Sequence, residues 1–425
     1  MKKESITKKG MSRRGFLLNS AKTVAMTAVS VSAVKASLAQ NNKLGVGIIG
    51  CGGRGTHLSQ ALKHIQDKDK TIQLVAFCDV YRPRLNKLAD VYNGKKYSDH
   101  RELLNDKDVD VVVIATPDHH HAQQTIDAVN AGKHVYCEKP MTHWRQWDMA
   151  KKMTEVVMNS NCVFQLGTQA MSDSAFRQMR DLVRSGKIGQ PVHVECGYFR
   201  LGDWGERGMP IDDPNAKPGP DLNWEAFLGD APKRDFDVSR FFRWRMYEDY
   251  AGGMVTDLYP HVLTPVAYVI GVKFPKVVVA TGGKLRYEER EVPDTFDMLI
   301  NYPEKIDLAM LGTQANEYQG TALRGQNRVP IIRGWEGTLT IDGDDIVYWP
   351  ANALKTKEPE RIPIEKGENL VDYLRAFVDC CMRGDKNTLS PVDLAFWVQT
   401  TLIMGMLSWK NGKMAFYEED KGIII

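Results

Sequence analysis

Short apolar segments alternate with segments of helical periodicity along the first part of the chain. Residues 44–50, 72–78 and 109–115 are apolar runs with the length and β-branched content of buried strands. Residues 122–131 repeat apolar positions with the period of a helix, and residues 134–137 form another short apolar run. This alternation predicts a doubly wound parallel sheet whose ligand lies at the carboxyl ends of the strands.

A different pattern follows in the second part. Residues 192–199 alternate apolar and polar positions, and three later runs at 276–281, 295–302 and 307–312 are also strand-like, which predicts a large antiparallel sheet. Two long apolar helices near the C-terminus are interpreted as scaffold. The predicted fold class is therefore α/β, with an N-terminal Rossmann domain over 43–168 and a C-terminal α+β domain over 169–425.

Composition and charge exclude several classes of protein. The chain has 425 residues, 43% of them hydrophobic and 26% charged, as expected for a folded globular protein of two domains. No run of eighteen consecutive apolar residues occurs, so no integral membrane span is expected. The chain has a net charge of +3, of which residues 1–39 carry +7 and the other residues −4, and this acidic remainder argues against a nucleic acid partner.

The N-terminus has the order of an export signal. Arg13 and Arg14 precede a weakly apolar stretch that ends near Val34, and small residues at Ser37 and Ala39 precede a candidate cleavage point. Residues 1–39 are thus predicted to be a twin-arginine signal peptide, with the twin-arginine export machinery as a partner and a periplasmic or otherwise exported location. The seven cysteines lack regular spacing and are predicted to be buried thiols.

A glycine-rich loop follows the first predicted strand and precedes a helical pattern. Its GxGxxG core and neighbours are Gly50, Gly52, Gly53, Arg54 and Gly55. In this context the first glycine permits a tight turn, the second lets the backbone approach a pyrophosphate, and the last lets the helix pack on the strand. The loop therefore predicts a dinucleotide site.

The second predicted strand ends in an acidic residue that bears on the choice of nucleotide. Asp79 follows residues 72–78, where a carboxylate accepts hydrogen bonds from a ribose hydroxyl and repels a 2′-phosphate. NAD is therefore favoured as the cofactor. Arg82 and Arg84 lie close by in sequence and leave NADP open as the alternative.

Two further strand ends carry polar signatures. Residues 116–121 read Thr-Pro-Asp-His-His-His, and residues 138–140 read Glu-Lys-Pro after the run Ala-Gly-Lys-His-Val at 131–135. With the glycine loop, these motifs resemble the Gfo/Idh/MocA family of glucose–fructose oxidoreductase and inositol dehydrogenase. The resemblance implies an NAD-dependent oxidoreductase that is a homo-oligomer through its broad sheet. It assigns five residues to the border of the nicotinamide: Thr116, Pro117, His121, Glu138 and Lys139.

Oxidation of a secondary alcohol requires a base beside the hydride acceptor, and Lys139 is the first candidate. Burial beside a nicotinamide would favour its neutral form. Asp257 and His261 stand four residues apart, so on one helix the carboxylate would orient an imidazole that relays the proton. Both also match family positions. No metal site is expected, because the adjacent histidines at 119–121 diverge on any regular element.

The substrate side is predicted from aromatic residues. A Gly- and Pro-rich stretch between 200 and 250 holds several aromatic rings, which suit the C–H faces of sugars, and Trp244 is the preferred contact. Lys139, Tyr259 and His261 are also assigned to the substrate, which is expected to be a carbohydrate or glycoside.

Three functions remain open. We favour an oxidoreductase acting on a secondary hydroxyl of a sugar or glycoside, with a cofactor that stays bound and is recycled in place because soluble NAD is absent outside the cytoplasm. The stretch 257–266 is similar to NAD-dependent glycoside hydrolases, a redox-neutral alternative, although Lys139 departs from their pattern. A carbohydrate-binding protein without turnover is the third reading, since a fold alone does not establish catalysis.

Overall fold

The computed structural model describes residues 43–202, 208–317, 329–352, 358–419 and 421–425. Arg13 and Arg14 lie outside these ranges, so the export signal stays a prediction. Residues Gly45–Ile425 form one compact unit. The proposed division between residues 168 and 169 therefore also stays a prediction.

The first sheet is parallel. Its described strands are β1 (Leu44–Ile49), β2 (Ile72–Cys78), β3 (Lys95–Tyr97), β4 (Val111–Ile114), β5 (His134–Glu138) and β6 (Phe164–Gly167), and the helices between them are α1 (Gly53–Lys68), α2 (Arg82–Tyr92), α3 (His100–Asn105), α4 (His121–Asn130) and α5 (Trp147–Met158). The six described strands lie in the order β3-β2-β1-β4-β5-β6. This order confirms the predicted doubly wound sheet, and its direction reverses between β1 and β4.

The reversal point brings the glycine loop against the next strand end. Every residue of β1 and β4 is buried, as expected for strands covered on both faces. Ile49 pairs with Ile114, so the residues after them, Gly50 and Ala115, become neighbours. The backbone N–H of Gly50 also donates to the carbonyl of Cys78, 2.8 Å away. Three strand ends therefore converge on one crevice.

The second sheet is large and mainly antiparallel, as predicted. Its described strands are β7 (Pro191–Phe199), β8 (Val277–Gly283), β9 (Thr295–Tyr302), β10 (Ile306–Thr313), β11 (Ile331–Gly334), β12 (Gly337–Asp342), β13 (Asp345–Pro350), β14 (Glu360–Pro363), β15 (Ala415–Glu418) and β16 (Ile423–Ile424). Within the described chain they lie in the order β14-β13-β12-β11-β7-β10-β9-β8-β15-β16. β7 and β10 pair in parallel, which the alternating pattern did not indicate. Strands so distant in sequence are not joined by a hairpin, so either direction is available to them.

The second part contains seven described α-helices. They are α6 (Ser174–Arg184), α7 (Trp224–Leu228), α8 (Val238–Phe242), α9 (Met254–Asp257), α10 (Pro260–Ile270), α11 (Leu370–Arg383) and α12 (Val392–Asn411). The predicted C-terminal helices correspond to α11 and α12, and α12 packs between β8 and α5 as scaffold. No helix of the described ranges has the length and apolarity needed to cross a bilayer. All seven cysteines are buried and carry free thiols.

Residues 208–250, hereafter the insertion, lie between β7 and α9 and fold around an aromatic cluster. The buried members of that cluster are Tyr81, Leu222, Trp224, Phe227, Leu228, Phe241, Phe242, Trp244, Tyr250 and Ala251. Tyr81 belongs to the parallel-sheet half, so the cluster joins the two halves. Backbone hydrogen bonds add to this contact, because Asn223 donates to Val80 and Arg82 donates to Asp221. The insertion is thereby held against the end of β2.

Candidate active site

A cleft of about 1490 Å³ opens at the carboxyl ends of the parallel strands. This exceeds the roughly 300–1,000 Å³ of a pocket for one small molecule, so it has room for a dinucleotide and a second ligand. Most of the predicted site residues line it: Gly50, Gly52, Gly53, Arg54, Asp79, Thr116, Pro117, Glu138, Lys139, Trp244, Asp257 and His261. Three other predicted site residues, Gly55, His121 and Tyr259, do not line the described part of this cleft.

Two glycines of the loop are required by the protein itself. Gly50 has φ +96°, and a Cβ atom there would lie 2.7 Å from the backbone carbon of Ala115. A Cβ atom on Gly55 would lie 1.9 Å from the carbonyl oxygen of Gly50. Gly55 therefore acts in the packing of α1 on β1, which explains its absence from the cleft.

The other two glycines leave space open instead. A Cβ atom on Gly53 would meet nothing within 4 Å, and one on Gly52 would reach only the tip of Arg84 at 3.4 Å. Gly52 is the N-cap of α1, and no side chain caps this helix end. The first N–H groups of α1 thus border the cleft without a capping oxygen, which fits a pyrophosphate.

Asp79 connects the end of β2 with this loop. Its Oδ2 accepts the backbone N–H of Cys51 at 2.6 Å, and its Oδ1 accepts that of Tyr81 at 2.8 Å. Burial raises the pKa of Asp79 above its ordinary value, although these hydrogen bonds oppose the shift. Each oxygen keeps a further lone pair, so the carboxylate can hold the loop and still accept a ribose hydroxyl.

Arg54 and Glu138 link the glycine loop with the end of β5. Arg54 Nη2 lies 2.7 Å from Glu138 Oε1, and the hydroxyl of Tyr136 donates to the same oxygen at 3.1 Å. The Glu138 side chain is almost fully buried. Both residues line the cleft, but they form an ion pair with each other. This pair therefore positions the glycine loop.

His121 is buried behind the cleft and does not border it, which corrects the expectation of a cofactor contact. Its Nδ1 lies 2.6 Å from the carbonyl of Pro140, and its Nε2 lies 2.9 Å from the carbonyl of Thr116. Burial lowers the pKa of His121. The ring joins the two loops that carry Thr116, Pro117 and Lys139, so its contribution is to their relative position.

Lys139 and Asp257 come from opposite halves of the molecule and meet in the cleft. Lys139 Nζ lies 2.6 Å from Asp257 Oδ1 and 2.6 Å from the Asp257 carbonyl oxygen. Arg245 Nε donates to the same Oδ1 at 3.1 Å. Burial alone would raise the pKa of Asp257, but the Lys139 and Arg245 charges outweigh it and hold this pKa well below its usual range. Asp257 is therefore a carboxylate anchored by two cations.

Asp257 and His261 lie on two consecutive helices, whereas the sequence pattern predicted one helix face. Asp257 ends α9, and Pro260 begins α10 after a break at Leu258 and Tyr259. Proline lacks the N–H that would continue the ladder of a single helix, and it is favoured at a helix start. His261 still lines the cleft together with Asp257 and Lys139.

Tyr259 is not at the substrate side, so this assignment is corrected. Its side chain is fully buried, and its hydroxyl donates to the carbonyl of Phe296 in β9. The turn between α9 and α10 directs the ring into the core. Trp244 lines the cleft, and Arg245 lies over its ring at 4.2 Å from the centroid. The contact of Trp244 with a sugar stays a prediction.

Two side chains behind the cleft escaped the sequence reasoning. Asp118 is 4% exposed, and its Oδ2 accepts the hydroxyl of Thr256 at 2.9 Å. Thr256 Oγ1 in turn accepts the backbone N–H of Gly252, so the pair braces the start of α9. Burial raises the pKa of Asp118 to about 7 despite the opposing charges of Lys139 and Arg245. Asp118 is part of the Thr-Pro-Asp motif, but its burial could not be predicted from that motif.

The remaining histidines of the triplet contact the insertion. His119 Nε2 lies 2.8 Å and His120 Nε2 lies 2.7 Å from the carbonyl oxygen of Phe227. Across the described residues, no group of three His, Cys, Asp or Glu side chains is placed to hold a metal ion. His119 and His120 thus tie the end of β4 to the insertion.

The fold and the cleft define a class: a Rossmann protein that binds a dinucleotide against a second α/β domain. Residues 44–168 match the model of an oxidoreductase family with an NAD-binding Rossmann fold, and residues 172–284 match the C-terminal alpha/beta domain of that family. The two matches together cover more than half of the chain. The chain belongs to the Gfo/Idh/MocA oxidoreductase family, and its Rossmann half is an NAD-binding domain.

Relatives match over part of their length. Inositol 2-dehydrogenase of Salmonella typhimurium is 29% identical over 209 residues, which are 49% of this chain and 56% of the relative. Glycosyl hydrolase family 109 protein 1 of a Shewanella species is 28% identical over 175 residues, or 37% and 36% of the two chains. The chain thus spans little more than half the length of the first of these relatives. A structure of levoglucosan dehydrogenase with NADH and levoglucosan has the same fold, with TM-score 0.66, 20% identity, and coverage of 88% of this chain and 98% of that one.

Proposed function

We propose that the mature protein is an exported, NAD-dependent oxidoreductase that oxidises a secondary hydroxyl of a sugar or glycoside. One observation carries the proposal: the Lys139 ammonium group, at the end of β5, lies 2.6 Å from the Asp257 carboxylate in the cleft that the glycine loop borders. The named relatives that act on polyols or sugars support the substrate class.

The residues of the first half fit the cofactor. Gly52 and Gly53 border the cleft at the uncapped start of α1, where backbone N–H groups would bind a pyrophosphate, and Asp79 borders the same cleft, where its carboxylate would accept a ribose hydroxyl. When bound, NAD supplies the acceptor for the hydride that leaves the alcohol carbon. Thr116 and Pro117 border the same cleft at the end of β4, and His121 holds their loop against the Lys139 loop.

The proton of the alcohol requires a separate acceptor. Lys139 Nζ has three N–H donors, and two are occupied by Asp257, so one remains for a substrate oxygen. Asp257, with its lowered pKa, anchors Lys139 and is a poor proton acceptor itself. His261 lines the same cleft, and its imidazole is the group proposed to relay the proton. An ammonium has no lone pair, so the third proton of Lys139 first passes to His261 as the relay, and the amine that results accepts the proton of the alcohol. We assign proton transfer to Lys139 in this sense, with Asp257 as the residue that positions Lys139.

Export leads to in-place recycling. A protein outside the cytoplasm has no soluble NAD with which to exchange, so the cofactor stays bound and its hydride passes to a second carbohydrate. The contact of the insertion with the end of β2 supports retention, because its two residues, Asn223 and Val80, both border the cleft that would hold the nucleotide.

Spectroscopy on the mature protein tests the proposal. Protein purified without added nucleotide should carry cofactor, and addition of suitable sugars should raise the NADH absorbance band with formation of a ketosugar. A protein that retains no nucleotide would contradict recycling in place. No spectral change with any sugar or glycoside of a broad panel would contradict the oxidoreductase.

A redox-neutral glycoside hydrolase is the second candidate. It is favoured by the similarity of residues 257–266 to such enzymes and by the match to a glycosyl hydrolase family 109 protein. In that reaction oxidation at one carbon acidifies the neighbouring C–H, the leaving group departs, water adds, and the ketone is reduced again. Release of the aglycone from aryl glycosides with no net NADH would support it over the first candidate.

A further inference from the structure

The adenosine end of the nucleotide site contains both an acid and arginines. In dinucleotide folds, a carboxylate after the second strand accepts the ribose hydroxyls of NAD, whereas a nearby arginine accommodates the 2′-phosphate of NADP. This chain has Asp79 at the first position, and Arg82 and Arg84 at the start of α2. The sequence around β2 by itself therefore allows either nucleotide.

The insertion supplies carboxylates to both arginines. Arg84 Nε lies 2.6 Å from Asp212 Oδ2, with side-chain exposures of only 22% and 34%. Arg82 Nε lies 3.5 Å from Asp221 Oδ1, and this pair is much more exposed. Exposed pairs contribute little to binding or stability, so the pair of Arg84 with Asp212 is the one that matters.

Arg84 stands where it would meet the nucleotide. A Cβ atom on Gly52 would lie 3.4 Å from Arg84 Nη1, so the guanidinium borders the glycine loop. The guanidinium of Arg84 also lies over the ring of Phe242, with its carbon 5.1 Å from the centroid. Arg84, Asp79 and Asp212 all line the same cleft. The guanidinium is thus held between an aromatic ring and a carboxylate that both belong to the insertion.

We propose that Asp212 is a specificity-determining residue of the nucleotide site: it engages Arg84, the side chain that would bind a 2′-phosphate, and adds a second negative charge beside Asp79. The site then disfavours NADP because the carboxylates repel its 2′-phosphate, and it favours NAD because Asp79 accepts a ribose hydroxyl. Selection between the two nucleotides is therefore shared by the two halves of the chain.

Displacement of bound NADH tests this proposal. The mature protein is loaded with NADH, and NAD⁺ or NADP⁺ is added while the fluorescence of bound NADH is followed. In Asp212→Asn, the NADP⁺ concentration needed for half displacement should fall at least tenfold, and that of NAD⁺ should change less than threefold. Asp213→Asn removes the same charge from the next residue, whose Oδ1 accepts a backbone N–H in the insertion. This control should leave the ratio of the two nucleotides unchanged.

Two further variants locate the cause. Arg84→Ala in the otherwise unchanged protein should not weaken NADP⁺ binding, because Arg84 is already paired with Asp212. In the Asp212→Asn background, Arg84→Ala should abolish the gain in NADP⁺ affinity. An unchanged ratio in Asp212→Asn would overturn the proposal. So would an equal gain for both nucleotides, which would place Arg84 on the pyrophosphate, or a gain that persists without Arg84. Because the readout is nucleotide displacement, a protein inactive on every carbohydrate would refute the proposed function and leave this test intact.

Discussion

Lys139 is the residue on which the proposed chemistry depends. Its ammonium is held by the carboxylate and the carbonyl of Asp257, so its position is set by the second half of the chain although its sequence motif lies in the first. The motif could be recognised without a structure. Its ion pair could not, because Lys139 and Arg245 reach the same Asp257 oxygen only through the packing of the insertion and α9.

Replacement of Lys139 separates catalysis from folding and cofactor binding. Lys139→Ala should reduce hydride transfer by at least about a hundredfold, the lower range for loss of a general acid–base group. NADH affinity should change less than threefold, because the glycine loop and Asp79 supply the nucleotide contacts. Stopped-flow measurement of the NADH band and NADH titration check both.

Lys139→Arg is the matched variant. It retains a cation beside Asp257 but replaces the group that exchanges the proton, since arginine stays protonated in proteins. It should fold normally and remain as inactive as Lys139→Ala. Recovery of turnover in Lys139→Arg would assign Lys139 a purely electrostatic role.

Asp118 makes the stability of the protein depend on pH. Its pKa is raised by burial from 3.8 to about 7, so the folded state binds a proton that the unfolded state has lost between these values. The free energy of unfolding therefore falls as the pH rises through this window. Asp118→Asn removes the proton uptake and keeps an oxygen that accepts the Thr256 hydroxyl.

Denaturant unfolding of both proteins at several pH values measures the difference. Asp118→Asn should match the wild type near pH 4 and exceed its free energy of unfolding by up to about 4 kcal/mol above pH 7. Groups common to both proteins cancel in this comparison. A difference that is constant with pH would show that Asp118 does not titrate in this window.

At the scale of elements, the β1–loop–α1 unit distinguishes glycines that serve the fold from those that serve the ligand. Gly50 adopts φ +96° against Ala115, whereas a side chain at Gly52 would extend toward open space near Arg84. The spacing of the motif predicted the β1–loop–α1 unit. It did not indicate which glycines pack against the protein backbone and which border the cleft.

Two alanine variants measure this difference. Gly50→Ala should lower the free energy of unfolding by at least about 2 kcal/mol, because a positive φ and a backbone clash act together. Gly52→Ala should change stability by less than about 1 kcal/mol and weaken NAD binding at least tenfold, because its methyl group occupies the approach to the phosphates. Unfolding curves and nucleotide titrations that gave the reverse order would contradict these roles.

At the scale of the whole molecule, the broad sheet exposes apolar side chains on one face. Leu299 is 59% exposed in β9, between its cross-strand neighbours Val279 in β8 and Ala309 in β10, while Met298 and Ile300 point into the core. Such a face is typical of association sites. We propose that the predicted homo-oligomer forms here.

Charge substitution on this face tests the oligomer. Leu299→Glu should shift the protein from oligomer to monomer in sedimentation or light scattering, with the fold unchanged because the Leu299 side chain is exposed. Leu285→Glu introduces the same group at a leucine that is 73% exposed outside the strands. It should leave the assembly intact, and equal behaviour of the two variants would argue against the sheet face.

Sequence alone determined the local and periodic features of this protein. Apolar runs indicated β1, β2, β4 and β5, because a buried parallel strand must be apolar on both faces. The polar strand β3 was missed, since a mostly exposed edge strand has no such pattern. The glycine loop and the Glu-Lys-Pro motif were legible because their spacing is dictated by a local turn and by the strand that precedes them.

Tertiary structure decided which side chains meet. Asp212 reaches Arg84 across 128 positions of sequence, and Lys139 reaches Asp257 across 118. Tyr259 was assigned to the substrate, yet the turn between α9 and α10 directs it into the core. Periodicity indicates which face of an element is buried, but it does not identify the element that packs on that face. The charges and hydrogen bonds of the cleft therefore depended on the packing of the two halves.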